Sequence, residues 1–421
     1  MATKVSVPNT YYMKITDVKT HLLMPMEGHS WLFVQVLTDE GTYGIGECTN
    51  YGTNPALITG IESIVKPLII GEDPFKIEEI WQRIFYSYSS SNSRGFISQL
   101  ISGVDIALWD IKGKVLGVPI YELIGGKVRD SVPLYTHVQD QTPTQSGFLV
   151  DGVPKSVTPT IDDMVEATKL TIKDGFEAIK TDPFPHDYRD ANYPGTTSLE
   201  HLNDKSLKKS VEWMEALRET AGNDFEILVD AHGRFDVASA IQAANSLSHL
   251  GLVWFEEPCH AANHQALEQV RMNTDIPLCV GERHFTRWDY NTILENGLVD
   301  YVMPDVAWCG GISELRRIAA MAEIYYTRVS PHDALGPFAI AAGFQACMAI
   351  PNLYRQECIH TWFPVFEKII TPALDVRKGF MYPNENPGIG FDLKWDEIDK
   401  YRVDPENPLT RKRWHVNDSE K

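Results

Sequence analysis

The sequence predicts an α/β protein: a (β/α)7–8 TIM-like barrel behind an N-terminal α+β capping domain that the C-terminal tail completes. Three observations carry this expectation. From about residue 131, short apolar segments alternate strictly with longer amphipathic ones, the pattern of parallel strands joined by helices. Polar residues recur where successive strands should end, at Asp230, Glu256, Glu282, Asp305, His332 and Glu357. Their spacing of roughly 25 residues is the length of one strand–helix unit with its loops. Before residue 131, strands come first and helices after, which describes a separate α+β unit. The expected divisions are 1–130 for the cap, 131–375 for the barrel and 376–421 for a segment returning to the cap.

Taken in order, MKITDVKTHLL, WLFVQVLTDEG and TYGIGEC read as strands, rich in β-branched and aromatic residues with glycine-bearing turns. PALITGIESIVKPLI, PFKIEEIWQRIFYSY and FISQLISGVDIALWDIKGKVLG follow with helical periodicity. GVPIYELIGGK, with its glycine and proline, ends that run. The barrel strands are expected at VPLYTHV, FEAIKTD, FEILVDAH, LVWFEE, PLCVGE, DYVMPD, TRVSPH and LYRQE. Helices such as DDMVEATKLTIKDG, LKKSVEWMEALRETAG, VASAIQAANSLSHLG and SELRRIAAMAEIYY lie between them. Two loops of about 20 residues, after the first and second barrel strands, have the length of lids or specificity elements. After Asp375 the pattern becomes irregular, and the strand-like GIGFDL suggests a return to the first domain.

Composition narrows the function classes. A chain of 421 residues with 10 Trp, 17 Tyr and 17 Phe can bury a large core. Its formal charge of −19 argues against a nucleic-acid groove or an anionic membrane surface, both of which need clustered Lys and Arg. Anionic small molecules stay admissible, because a bound divalent metal reverses the local sign. The six cysteines (48, 259, 279, 309, 347 and 358) lack paired spacing and read as free thiols of a cytoplasmic protein. The N-terminus has no long apolar run, so neither signal peptide nor membrane span is expected.

The strand ends carry the chemistry. Asp230, Glu256 and Glu282 on consecutive strands would converge at the barrel mouth, where three carboxylates repel unless a cation sits between them. An all-oxygen set favours Mg²⁺, with Mn²⁺ admissible, over zinc. The competing reading makes them helix caps or partners of Arg234 and Arg283; the regular spacing weighs against it. Glu257 should face away from its neighbour Glu256. Asp305 and His332 form a candidate dyad in which the carboxylate orients the imidazole and favours its protonated form. Strand alternation would put His232 on the face of Asp230. A metal with one imidazole on each side suits β-elimination, one ring taking a proton and the other protonating a departing hydroxyl. On the second strand Lys180 and Asp182 share a face. Lys180 is a candidate for holding a substrate anion or a metal-bound carboxylate, and Asp182 for accepting from a sugar hydroxyl. A simple surface pair is the alternative. Asp182 stands where two-base racemisation would need a second lysine. Glu357 is a candidate hydrogen-bonding partner of substrate, with capping as its alternative. No dinucleotide or P-loop glycine pattern occurs, although Gly310-Gly311 offers backbone N–H groups at a helix start.

These residues resemble the enolase superfamily, specifically its mandelate racemase-like branch, over nearly the whole chain. The resemblance rests on ALWDIKGKVLGVPIYELIGGK in the cap, on VDAHGR, WFEEP and GER at the three acids, and on PD…GGISELRRIAAMAE and SPHDALGPFAIAA around the dyad. Within the branch, DAHGR, GERHFTRWDY, PHDALGP and NLYRQE are most similar to acid-sugar dehydratases of the galactonate type. The resemblance implies His232 as general acid, His332 with Asp305 as base, and an active-site role for Glu357. It also implies cap loops around Pro25–Trp31 and Thr49–Asn54 closing over the substrate, and a homo-oligomer. KTD on the second strand departs from the galactonate pattern, and the two long loops resemble those of mannonate dehydratases, which lack the dyad. The combined expectation is a Mg²⁺-dependent lyase that turns a small-molecule acid sugar into a 2-keto-3-deoxy acid. Its rivals are an epimerase or cycloisomerase on the same scaffold, and a non-catalytic metabolite-binding regulator.

Overall fold

Three antiparallel strands, Ile15–Met26, His29–Thr38 and Tyr43–Glu47, make the sheet of the cap, in that order. The computed structural model describes residues 13–26, 29–50, 52–92, 94–138, 149–150, 153–154, 160–184 and 201–406. Most of the two long barrel loops expected from the sequence lies outside these residues, as do positions 27–28 and 51 of the expected cap loops.

The helix Phe96–Leu116 packs directly on the third strand. At Gly44 and Gly46 an added Cβ would sit 1.9 Å from the carbonyl oxygen of Ala107 and 2.0 Å from that of Gly103. Glycine at these two positions lets the strand lie flush on the helix backbone, a contact no larger residue permits. Leu32, Val34 and Val36 of the sheet meet Ile80, Ile84, Leu100 and Val104 of the helices in a dry core.

Eight parallel strands form the second unit: Val132–His137, Ala178–Thr181, Glu226–Asp230, Trp254–Glu256, Leu278–Val280, Tyr301–Val302, Arg328–Val329 and Gln356–Cys358. Each pairs with its neighbour in parallel register through the seventh. The eighth closes the barrel, bridging the seventh at Val329 and Leu353 and pairing with the first at Glu357 and Tyr135. Tyr135, Ala178, Leu228, Trp254, Cys279 and Met303 point inward and plug the barrel. The indole of Trp254 lies at its centre, in aromatic contact with Tyr135, Tyr301 and Tyr354. Side-chain alternation then fixes what stands above this plug. Two residues beyond Leu228 comes Asp230, and two beyond Trp254 comes Glu256.

Most of the barrel helices carry their own N-terminal caps: Thr160 with Asp163, Asn203, Asp236 and Asn263 each satisfy free amides. The helices Gly311–Ile324 and Pro337–Ala349 do not; each follows a glycine with no side chain to offer. Their caps come from the other domain. Glu47, at the end of the third cap strand, accepts from the backbone N–H of Gly336, Phe338 and Ala339 at 2.8, 3.1 and 2.9 Å. Asp105, on the long cap helix, accepts from the N–H and hydroxyl of Ser313, while the hydroxyl of Ser102 accepts from the N–H of Gly310. The amide of Gly310, one of the pair that the sequence offered to an anion, thus donates to a hydroxyl of the protein itself.

The tail first meets the barrel, where Phe380–Tyr382 pairs antiparallel with the first strand. It then joins the cap: Ile389 donates to Asp110, Arg402 bridges Leu23, and Val403 donates to the carbonyl of Leu22. All six cysteines are buried free thiols. Among the described residues, no helix is long and apolar enough to cross a membrane.

The flush contact yields a test. Gly46→Ala forces the strand off the helix and should lower unfolding free energy by about 3 kcal/mol. An unchanged urea midpoint would contradict the packing described.

Candidate active site

Oxygen atoms of Asp230, Glu256 and Glu282 all lie within 4.8 Å of one another at the carboxyl ends of strands three, four and five. Each acid is buried, at 2, 0 and 7% exposure, so water contributes little to separating their charges. Asp230 and Glu256 arrive by simple alternation above the barrel plug. Glu282 does not, because its strand ends at Val280. Gly281 turns the chain with a φ of +156°, and an added Cβ there would lie 2.5 Å from the backbone nitrogen of Met303. That turn swings Glu282 back over the mouth.

Positive groups surround the triad. The ammonium of Lys180, 2% exposed, is 2.8 Å from Glu256, 2.6 Å from Glu357 and 3.4 Å from Asp230. Burial disfavours its charge, yet Glu256 and Glu357 outweigh that and hold its pKa well above the usual lysine range. Arg283 pairs with Glu282. Arg234 instead pairs with Asp182, so of the two arginines weighed as partners of the triad only Arg283 contacts it. Burial and the charge of Asp230 push the Glu256 carboxyl well up. For Asp230, burial opposes ionisation, but His232, Lys180 and Arg283 bring it down to about 2. An all-oxygen donor set of this compactness fits a hard divalent cation held between the three acids.

His332 stands beside the triad on the seventh strand's loop. Its Nδ1 donates to Asp305 at 2.6 Å, and its Nε2 is 3.1 Å from Glu282. Asp305 is itself fixed by the N–H of Ala307 at 2.7 Å. Burial works against a charged ring, but Glu357, Glu282 and Asp305 raise the imidazole to about 9. Trp308 tilts against the ring with centroids 5.2 Å apart, and its indole N–H donates to the carbonyl of Thr49 in the cap. One face of the dyad therefore rests on the other domain.

His232 lies on the opposite flank, with its Nε2 3.3 Å from Asp230 and its Nδ1 3.0 Å from Asp182. Strand pleating does not bring it there. The strand stops at Asp230, and His232 sits in a turn with φ +54°, held by its N–H bond to the Asp230 carboxylate at 2.7 Å. Asp182 spans His232 and both terminal nitrogens of Arg234, with no sugar-facing role needed to explain its position. Glu357 takes His137 and Lys180 on one oxygen and the N–H of Asp333 on the other. Glu257 is buried and accepts from the N–H of Gly281. His137, at the end of the first strand, joins the site through its 2.5 Å contact with Glu357. It obeys the same strand-end rule as the other six, but the regular spacing from Asp230 onward does not reach back to it.

A capped, closed β/α barrel thus carries at its mouth an acidic triad that could hold a metal ion, with two imidazoles beside it. Residues 13–125 match the family model for the mandelate racemase/muconate lactonizing enzyme N-terminal domain, and residues 163–397 match that for the enolase C-terminal domain-like unit. The chain belongs to the mandelate racemase-like branch of the enolase superfamily, and it is an enzyme of the hydro-lyase class. It is 32% identical to a D-galactonate dehydratase family member of Streptomyces bingchenggensis (strain BCW-1), over 94% of this chain and 96% of that one. It is also 32% identical to a D-mannonate dehydratase of Sphingomonas sp. (strain SKA58), over 91% and 93% of the two chains. A crystal structure of an enolase superfamily member from Salmonella Typhimurium superposes with a TM-score of 0.84 at 32% identity, covering 92% of this chain and 98% of that one.

If the triad holds a divalent ion, adding the ion should stabilise the fold by about 2.7 kcal/mol at a hundred times its dissociation constant. In a thermal melt this is an upward shift of a few degrees that chelator reverses and Glu256→Gln removes. A melt insensitive to divalent cations would overturn the assignment.

Proposed function

We propose that the protein is a Mg²⁺-dependent dehydratase of an aldonic acid, giving a 2-keto-3-deoxy acid. The observation that carries this is the placement of two imidazoles on opposite flanks of one acidic triad, His332 beside Glu282 and His232 beside Asp230. Elimination of water from adjacent carbons needs a base for one proton and an acid for one hydroxyl, and this arrangement offers both.

Asp230, Glu256 and Glu282 would hold the ion, whose chemistry is Lewis-acid stabilisation of the negative charge that builds next to the substrate carboxylate. His332 takes the proton from C2 through Nε2, because Asp305 occupies Nδ1. The electron pair released from that C–H bond is first held as charge on the substrate carboxylate, where C2 can take a proton back, and then becomes the C2=C3 double bond as the C3–O bond breaks. His232 gives its Nε2 proton to the departing hydroxyl, which leaves as water. The resulting enol takes up a proton at C3, gives up the proton of its C2 hydroxyl, and becomes the keto acid. Lys180 bridges Glu256 and Glu357 and holds them close, and Trp308 stands against one side of the His332 ring. Relatives named for galactonate and for mannonate support an acid-sugar substrate and leave its configuration open.

Two variants separate the roles. His332→Asn should lose both dehydration and exchange of the C2 proton with D₂O, by about 10²-fold or more. His232→Asn should lose dehydration to a similar degree while C2 exchange continues. Dehydration retained by the first variant would refute the base assignment. A panel of aldonates and aldarates with Mg²⁺, scored for 2-keto product, identifies the substrate.

A further inference from the structure

Asp182 has more bound to it than a substrate contact would leave free. Its Oδ1 accepts from Arg234 Nη2 at 2.8 Å and from the N–H of Phe184 at 3.1 Å. Its Oδ2 meets Arg234 Nη1 at 3.0 Å and His232 Nδ1 at 3.0 Å. Arg234 is 2% exposed, and its guanidinium lies over the rings of Phe184 and Phe235 at 5.6 and 5.2 Å. A planar guanidinium gripped bidentately and backed by two aromatic rings that meet edge to face has little freedom, so it fixes the carboxylate plane. The His232 ring is 44% exposed, and among the described residues no aromatic ring stacks on it. Its two nitrogens are distinguished by their partners: Nδ1 meets Asp182, and Nε2 lies 3.3 Å from Asp230 in the triad.

We propose that Asp182, clamped by Arg234, is a positioning residue that keeps a proton on His232 Nδ1 and turns Nε2 toward the reacting atoms. The mouth then carries two Asp–His dyads of the same design, Asp305–His332 and Asp182–His232. In each, the outer acid takes Nδ1 and the inner nitrogen lies against a triad carboxylate, at 3.1 Å from Glu282 and 3.3 Å from Asp230. This rests on the dehydratase reading, in which His232 supplies the proton for the leaving hydroxyl. When Nε2 gives that proton up, the C3–O bond breaks, water departs, and the neutral ring keeps its Nδ1 proton on Asp182. The Arg234 charge offsets that of Asp182, so the carboxylate orients the ring without also claiming the proton meant for the substrate. Asp182 thus sets the tautomer of the acid and is not a ligand for a sugar hydroxyl.

Asp182→Asn tests this. Oδ1 already holds two N–H donors, so the variant's amide oxygen stays there and its NH₂ faces the ring, which favours a bare Nδ1. A wrong tautomer in an Asp–His pair costs orders of magnitude in rate. The expected result is a fall in kcat for dehydration of about 10²-fold or more, with KM and C2-proton exchange in D₂O each kept within about threefold. A tenfold rise in KM at unchanged kcat would make Asp182 a substrate contact and overturn the proposal, and so would an unchanged kcat. Loss of exchange together with dehydration would also overturn it, since Asp182 would then support the whole site. A second measurement needs neither turnover nor a folded variant at position 182. In ¹⁵N-histidine-labelled wild-type protein, with His232 assigned from the His232→Asn spectrum, Nδ1 should carry a proton; a bare Nδ1 refutes the clamp. Should no acid sugar be dehydrated by the wild type, the dehydratase reading fails while the ¹⁵N spectrum still decides the clamp.

Discussion

Mutual repulsion of three buried carboxylates is the constraint around which the rest of the molecule is arranged. With oxygens under 5 Å apart, each pair of charges costs roughly 3 kcal/mol at an effective dielectric near 20. No fold keeps such a cluster without compensation. Lys180, wholly buried and touching two members of the triad, supplies one positive charge from below, and Arg283 supplies another from the side. The His332 ring, held up by the carboxylates around it, adds a third when protonated. A divalent cation would complete the balance, and the same charge would then be available to an anionic substrate. Electrostatic strain in the empty site and binding strength in the loaded one have the same source.

The second dependence is mechanical. The dyad loops do not stand on the barrel alone. Glu47 caps the helix that follows His332, Asp105 caps the helix that follows Asp305, and Thr49 receives the indole N–H of Trp308. Buried carboxylates at helix N-termini satisfy orphan amides and complement the helix dipole, so the cap is fixed to the barrel at the two loops that carry Asp305 and His332. The cap is accordingly part of the scaffold of the site, and the glycines that let its third strand lie flush on Phe96–Leu116 belong to the same device.

Much of this was legible in the chain itself. The alternation of strand and helix and the spacing from Asp230 to Glu357 sufficed for a barrel, and hydrophobic patterning sufficed for an α+β cap, because both are periodic properties of local sequence. Residue types alone pointed to a hard cation and to two imidazoles. Other features were not periodic. Glu282 and His232 reach the mouth through turns at Gly281 and at φ +54°, where alternation has ceased to apply. His137 was overlooked because the regular series of strand ends was counted from Asp230 onward, although its strand bears the same kind of terminal polar residue. No local pattern reveals that Asp182 pairs with Arg234, more than 50 residues along.

What the sequence determined by itself was therefore the architecture and the chemical vocabulary: which residue types end which strands. Tertiary structure decided the grammar: that Glu47 and Asp105 cap helices of the other domain, that Arg283 and not Arg234 neighbours the triad, and that Asp182 addresses His232. The reason is physical. Periodicity follows from backbone geometry repeated residue by residue, whereas a hydrogen bond between distant segments depends on where the closed barrel and its docked cap bring two side chains within about 3 Å.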